Sequence, residues 1–122
     1  MPSIEDRINR ESTIVEKIVS DALAAGYTIS IFDSEEWCVK KSKDKGYILE
    51  NVNIADEMVL RLRDAKNEIV GGISLVYGND TDVISDYTAT DIMEEFMKEP
   101  MALANKMGED VSLALIQGMD VG

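Results

Sequence analysis

The sequence predicts an α+β fold: a mostly antiparallel sheet of about four to five strands, with an N-terminal helix and C-terminal helices packed on it. Two observations carry this expectation. Apolar residues recur near a helical period at both ends of the chain, whereas the middle alternates with a strand period and is broken by turn chemistry. The strands also come in consecutive pairs, without the β-α alternation of a doubly wound nucleotide-binding fold. With 122 residues, residues 1–122 are read as a single domain around one core.

The first helix is read from Ile4, Ile8, Val15, Ile18, Val19, Ala22 and Leu23. Arg7, Arg10, Glu11, Glu16, Lys17 and Asp21 fall mostly between them, which makes one face apolar. Ser3 is placed as its N-cap, with Asp6 three residues on, and Gly26 as the left-handed residue that ends it. Residues 27–32 and 37–41 flank the turn Asp33-Ser34-Glu35-Glu36 and form a hairpin candidate. A short helix after Ser42 takes in Tyr47, Ile48, Leu49 and Val52, although Gly46 and two asparagines weaken it.

A second hairpin pairs the alternating Met58, Leu60 and Leu62 with residues 68–77 across the turn Asp64-Ala65-Lys66-Asn67. Gly71-Gly72 inside it predicts a bulge or a close backbone approach. The turn Gly78-Asn79-Asp80-Thr81-Asp82 then leads to a short strand over 83–87. Thr88 or Thr90 caps a helix with Asp91, Glu94 and Glu95 in its first turn, where carboxylates complement the helix dipole. Pro100 is expected to kink this helix or start another, Gly108 to interrupt it, and residues 111–117 to form a last short helix ending at Gly118.

Acids outnumber bases 24 to 12, giving a net charge of −12 and a pI near 4.3. Ten of the acids lie beyond Gly78, against only Lys98 and Lys106. Such a field repels phosphate backbones and anionic lipid, and attracts a basic protein surface. No apolar run has the length of a membrane span and the N-terminus lacks the order of a signal peptide, so a cytoplasmic location is expected. Cys38 is the only cysteine, which suits a reducing compartment.

The chain has no histidine, which removes the usual general base, the nucleophile pairs built on it and the commonest zinc ligand. No catalytic residue, cofactor or metal site is assigned, and the expectation is that the protein is not an enzyme. Asp80-x-Asp82 with Asp86 invites a calcium reading, but an EF-hand loop starting there has Ile84 at its fifth position, Ser85 at its sixth and Asp91 at its twelfth. A solvated turn is the plainer reading. Cys38, with Lys40 and Lys41 nearby, is either a thiol of lowered pKa or a small apolar strand residue. Lys40, Lys41, Lys43 and Lys45 read as a charged strand edge. Met93, Met97 and Met101, four residues apart, are either core or an adaptable binding or dimer face.

The segments Ala22-Leu23-Ala24-Ala25-Gly26-Tyr27-Thr28-Ile29-Ser30-Ile31-Phe32-Asp33, running on through Trp37, and Val76-Tyr77-Gly78-Asn79-Asp80-Thr81-Asp82-Val83-Ile84-Ser85-Asp86-Tyr87-Thr88 resemble small proteins encoded by bacteriophages and prophages. The resemblance transfers no catalytic or binding residue. It implies an accessory protein made in an infected bacterium, of a kind that occupies host proteins such as restriction or CRISPR machinery. The expected function is stoichiometric binding to a host protein with a basic surface, without direct nucleic-acid or membrane binding. The partner-binding candidates are Asp80, Asp82, Asp86, Asp91, Glu94, Glu95 and Glu99. The alternative is a structural or regulatory homodimer, joined through the methionine-bearing helices or by pairing of sheet edges.

Overall fold

The computed structural model describes residues 4–119, with side chains for residues 4–113. The elements are α1 (Ile4–Ala24), β1 (Thr28–Phe32), β2 (Trp37–Ser42), α2 (Lys45–Asn51), β3 (Glu57–Arg63), β4 (Ile69–Val76), a 3-10 turn (Asp80–Asp82), β5 (Ile84–Tyr87) and α3 (Asp91–Met119). The five strands form one sheet in the order β2-β1-β3-β4-β5. Every neighbouring pair is antiparallel. The expected α+β architecture is therefore present.

Strand alternation decides which face is covered. Ile29 and Ile31 of β1, Met58, Leu60 and Leu62 of β3, and Ile73 and Leu75 of β4 are buried. They share one core with Ile14, Val15, Ile18, Val19 and Ala22 of α1, Ile48 of α2, and Met93 and Met97 of α3. Their sequence neighbours, among them Ser30, Val59, Arg61 and Ser74, belong to the opposite face by the two-residue period of a strand. One face of the sheet thus packs against helices and the other stays open.

Turn chemistry fixes the registers. Asp33 Oδ1 accepts the N–H groups of Glu35 and Glu36 at 3.0 and 2.8 Å, and Asp64 Oδ1 accepts those of Lys66 and Glu68 at 2.9 and 3.0 Å. Both are Asx turns that satisfy donors a tight reversal would leave unpaired. At the end of α1, the Tyr27 N–H reaches the Ala22 carbonyl and the Gly26 N–H that of Leu23, both at 3.0 Å. With φ +84 at Gly26, this is the Schellman closure anticipated there. Ser3 lies outside the described residues.

The expected short helix is present as α2 and one of the two offered caps of α3 is selected, while other expectations are corrected. The cap of α2 is Asp44, which accepts the Tyr47 N–H at 3.2 Å, while Ser42 accepts from Asp44. Thr90 receives the Met93 N–H at 3.3 Å and so caps α3, whereas the Thr88 hydroxyl accepts the N–H of Gly72 at 2.9 Å. Ile4 and Ile8 stay exposed, so the apolar face of α1 is sealed only beyond its first turns. In place of several C-terminal helices there is one, α3, which contains Pro100 and continues through Gly108 and Gly118. Pro100 removes a single backbone donor, and its buried position, with Met97 and Ala104 also packed in the core, sets that packing against the loss.

Gly71 shows why glycine is needed in β4. A Cβ there would lie 2.5 Å from Met93 Cγ and 2.8 Å from its Sδ, so α3 sits on the sheet through the space a side chain would fill. The close approach is made by a side chain, and the register shift falls next to it, between the Leu62–Gly71 and Arg63–Ile69 pairs. Replacing Gly71 with Ala should cost about 1–3 kcal/mol in denaturant unfolding. Met93→Ala introduced with it should recover part of that loss, giving a coupling of about 0.5–3 kcal/mol in a double-mutant cycle; strictly additive effects would show that the two residues do not compete for this space.

Candidate functional site at the seam of α1 and α3

The seven candidate carboxylates do not form one site. Asp80 is engaged within the fold: Arg10 Nε and Nη2 donate to its two oxygens, each at 2.6 Å. This fork-to-fork pairing across 70 positions is the strongest geometry available to a carboxylate and a guanidinium. The Arg10 hydrogen bond holds the Asp80 carboxyl below the usual carboxylate range, and burial opposes it only in part. Asp82 faces an open hollow of about 770 Å³ with Asn105 and Glu109. Asp86 is exposed on edge strand β5, opposite Ser74, and so belongs to the uncovered side of the sheet. Among the described residues, no three acids converge as metal ligands.

Asp91, Glu95 and Glu99 do come together. Spaced four apart on α3, they form one ridge, since residues at that spacing stack along a helix face. Two adjoining depressions run along it where α3 meets the end of α1. One, of about 410 Å³, is lined by Tyr27, Asp91, Ile92, Glu95 and Phe96. The other, of about 490 Å³, adds Asp21, Ala24, Ala25, Lys98 and Glu99. The floor is apolar: the rings of Tyr27 and Phe96 are tilted with centroids 6.0 Å apart, and Ile92 is 58% exposed.

The electrostatics of this seam separate helix stability from surface character. Asp91 and Glu94 lie in the first turn of α3, at the positive end of the helix dipole, which offsets their repulsion, and Glu95 follows directly. Glu99 lies beyond that first turn, and its ion pair is with Lys17 of α1 at 3.3 Å, a lysine that also meets Asp21 at 3.2 Å. Lys98 pairs with Glu95 at 2.6 Å. Glu94 stands apart from the ridge, accepting the Tyr87 hydroxyl at 3.0 Å. That bond pushes the Tyr87 pKa up, because a carboxylate acceptor disfavours the phenolate. The acids of α3 are legible in the sequence; there Ile92 and Phe96 read only as the apolar face of a helix and Asp21 as a polar position of α1, and only the docking of α1 against α3 brings them and Tyr27 together.

Two other sequence alternatives are decided by burial. The Cys38 thiol is half-buried and directed at the Ile31 carbonyl at 3.6 Å. Burial, followed by the nearby Asp33 carboxylate, pushes its pKa up. This corrects the reading of an activated thiol. Met93 and Met97 are fully buried in the core and Met101 is partly buried against it, so the first two methionines of the stripe serve the core. No helix among the described residues is long and apolar enough to cross a membrane. No family model, curated protein or solved structure matches the chain.

The Arg10–Asp80 pair has a pH signature. The folded chain holds the Asp80 proton less tightly than the unfolded chain does, so its stabilisation is complete above the ordinary carboxylate pKa of 3.8 and is lost as pH falls through the lowered value. Asp80→Asn should therefore destabilise most at neutral pH, and its difference from the parent protein should shrink as pH falls below the ordinary carboxylate value of 3.8. Urea unfolding of both proteins across this range measures the effect; a difference independent of pH would remove the ion pair as its cause.

Proposed function

We propose that this chain acts by stoichiometric association with a partner protein, through the acidic seam between α1 and α3. The observation that carries the reading is the combination of an apolar floor made by Tyr27, Ile92 and Phe96 with a rim in which Asp21, Asp91, Glu95 and Glu99 outnumber the single cation, Lys98. Interfaces draw most of their affinity from a few aromatic or apolar anchors, and their charged rims steer and select the partner. A lysine or arginine side chain suits both parts. Its aliphatic stem packs on Ile92 and Phe96, its charged end meets the carboxylates, and the ring faces of Tyr27 and Phe96 attract the cation.

In the setting that the phage resemblance implies, the partner is a nucleic-acid-handling protein of the bacterial host, and occupation of its basic surface blocks it. Asp80 has no part in this reading, because it lines neither depression of the seam and Arg10 holds both of its oxygens in a part-buried fork. Asp82 and Asp86 lie away from the seam and serve as controls.

The test is an affinity pull-down from host lysate at low and high salt, with mass spectrometry of the retained proteins. One nucleic-acid-handling protein should be retained at low salt and released at high salt. Joint reversal of Asp91, Glu95 and Glu99 to Lys should abolish its retention, whereas Asp86→Lys should leave it intact. Retention that survives both high salt and the triple reversal would sink the proposal.

A further inference from the structure

We propose that the open face of the sheet carries a second site, independent of the acidic seam, that takes a phosphate group of a small molecule. Its residues are Ser30 of β1, Trp37, Lys40 and Lys41 of β2, and Arg61 and Arg63 of β3, which line one depression of about 190 Å³. In sequence the two lysines and the two arginines are separate; the strand order β2-β1-β3 brings them around Ser30. Four cations on one small surface stand out in a chain of net charge −12.

None of these four is in an ion pair among the described residues, although Arg7, Arg10, Lys17, Lys45 and Lys98 each have a carboxylate partner. The depression itself is lined by no acid. Arg61 is opposite Ser30 in the β1–β3 register and reaches across β1, so that its Cζ lies 4.5 Å from the centre of the Trp37 ring. Phe32 supports that ring from a centroid distance of 5.2 Å. The guanidinium thus lies over the indole ring, and its N–H groups, which meet no carboxylate among the described residues, can serve an oxyanion.

The floor is built as well. Ser30 is 7% exposed, and its Oγ accepts the Lys41 N–H at 2.9 Å. Among the described residues its hydroxyl hydrogen goes to no acceptor, so it can donate to a bound anion. Lys41 has a φ of +49, and the β1–β2 pairing shifts register on this stretch. A bulge of this kind re-aims side chains next to a site. Arg63 is positioned from the other side, its Nη1 donating to the Asn67 carbonyl at 2.9 Å.

The size and surroundings of the patch select the ligand. A phosphate dianion offers two charges and several oxygens to four cations, whereas a lone carboxylate offers one charge and two oxygens. Asp33, Glu35 and Glu36 occupy the turn beside Trp37, and Asp64 and Glu68 the hairpin beyond Arg63, so an extended polyanion would meet carboxylates at both ends. At physiological ionic strength charges are screened over about 8 Å, which lets a compact cationic cluster act locally in spite of the net charge.

Trp37 is the only tryptophan and reports on the site directly. The purified chain would be titrated with inorganic phosphate, adenosine 5′-monophosphate, adenosine and acetate at constant ionic strength, following Trp37 emission and, independently, binding heat. Phosphate or the monophosphate should give saturable binding, and adenosine and acetate should not. Tighter binding of the monophosphate than of phosphate assigns a nucleotide; equal binding assigns the free ion. Lys41→Ala and Arg63→Ala, read by calorimetry, should each weaken binding by about tenfold or more, and Lys66→Ala should leave it unchanged. No saturable binding of either phosphate compound, equal binding of adenosine, or a thymidine oligonucleotide that binds far more tightly with increasing length would overturn the assignment, the last in favour of single-stranded nucleic acid. These outcomes are independent of the seam, because none of its residues is altered.

Discussion

The fold depends on one buried carboxylate. Glu11 sits on the side of α1 that packs inward and is 3% exposed, and its Oε2 accepts the N–H of Gly78 at 2.7 Å. A buried carboxylate needs compensation for the water it loses; here the Gly78 N–H supplies a hydrogen bond to one oxygen, and the Arg7 guanidinium supplies charge beside the other at 3.6 Å, an ion-pair distance at which its Nε makes no hydrogen bond. Gly78 has a φ of +101, a conformation that glycine adopts freely and that belongs to the turn leaving β4. Tyr77, next to it, donates its hydroxyl to the Val52 carbonyl. Burial, and then Glu11, keeps that phenol protonated far into the alkaline range. Together with the Arg10–Asp80 fork, these contacts tie α1 to the turn from which β5 and α3 depart.

The position of that tie explains the two faces of the molecule. With α1 anchored across the 3-10 turn, α3 comes to lie beside it, and their junction creates the acidic seam. Both helices are then on the same side of the sheet, and nothing among the described residues covers the other. Carboxylates gather on the helical layer, while the uncovered strands hold the unpaired cations near Trp37. The overall charge of −12 hides this local separation, in which the depression beside Trp37 is lined by four cations and no acid.

Much of the architecture was legible because it rests on local rules. The period of α1, the alternation of β3, the Asx chemistry of Asp33 and Asp64 and the closing Gly26 all act within a few residues of themselves. The continuity of α3 was not legible: Pro100 and Gly108 are helix breakers by local propensity, and what opposes them is tertiary. Pro100 is buried, and a Cβ on Gly108 would come within 3.1 Å of Thr81 Oγ1, so the glycine lets the helix pass close to the 3-10 turn. Local periodicity puts Glu11 on the polar face of α1, and the Gly78 N–H that draws it inward lies 67 positions away. For the same reason the acids of the seam could be named from sequence, but not the aromatic floor between them or the capture of Asp80 by Arg10.

The separation between Glu11 and Gly78 also bears on the order in which the chain assembles. The β3–β4 hairpin closes across a turn of a few residues with its own Asp64 cap, and the entropic cost of that closure is small. Docking α1 onto the turn after β4 closes a loop that contains the first four strands, and its contacts reward the chain only once both ends are in place. The hairpin is thus the natural nucleus and the α1 clasp a late event. Until that clasp forms, the apolar side of the sheet lies open to solvent, and in this interval a net charge that keeps copies of the chain apart guards against their association.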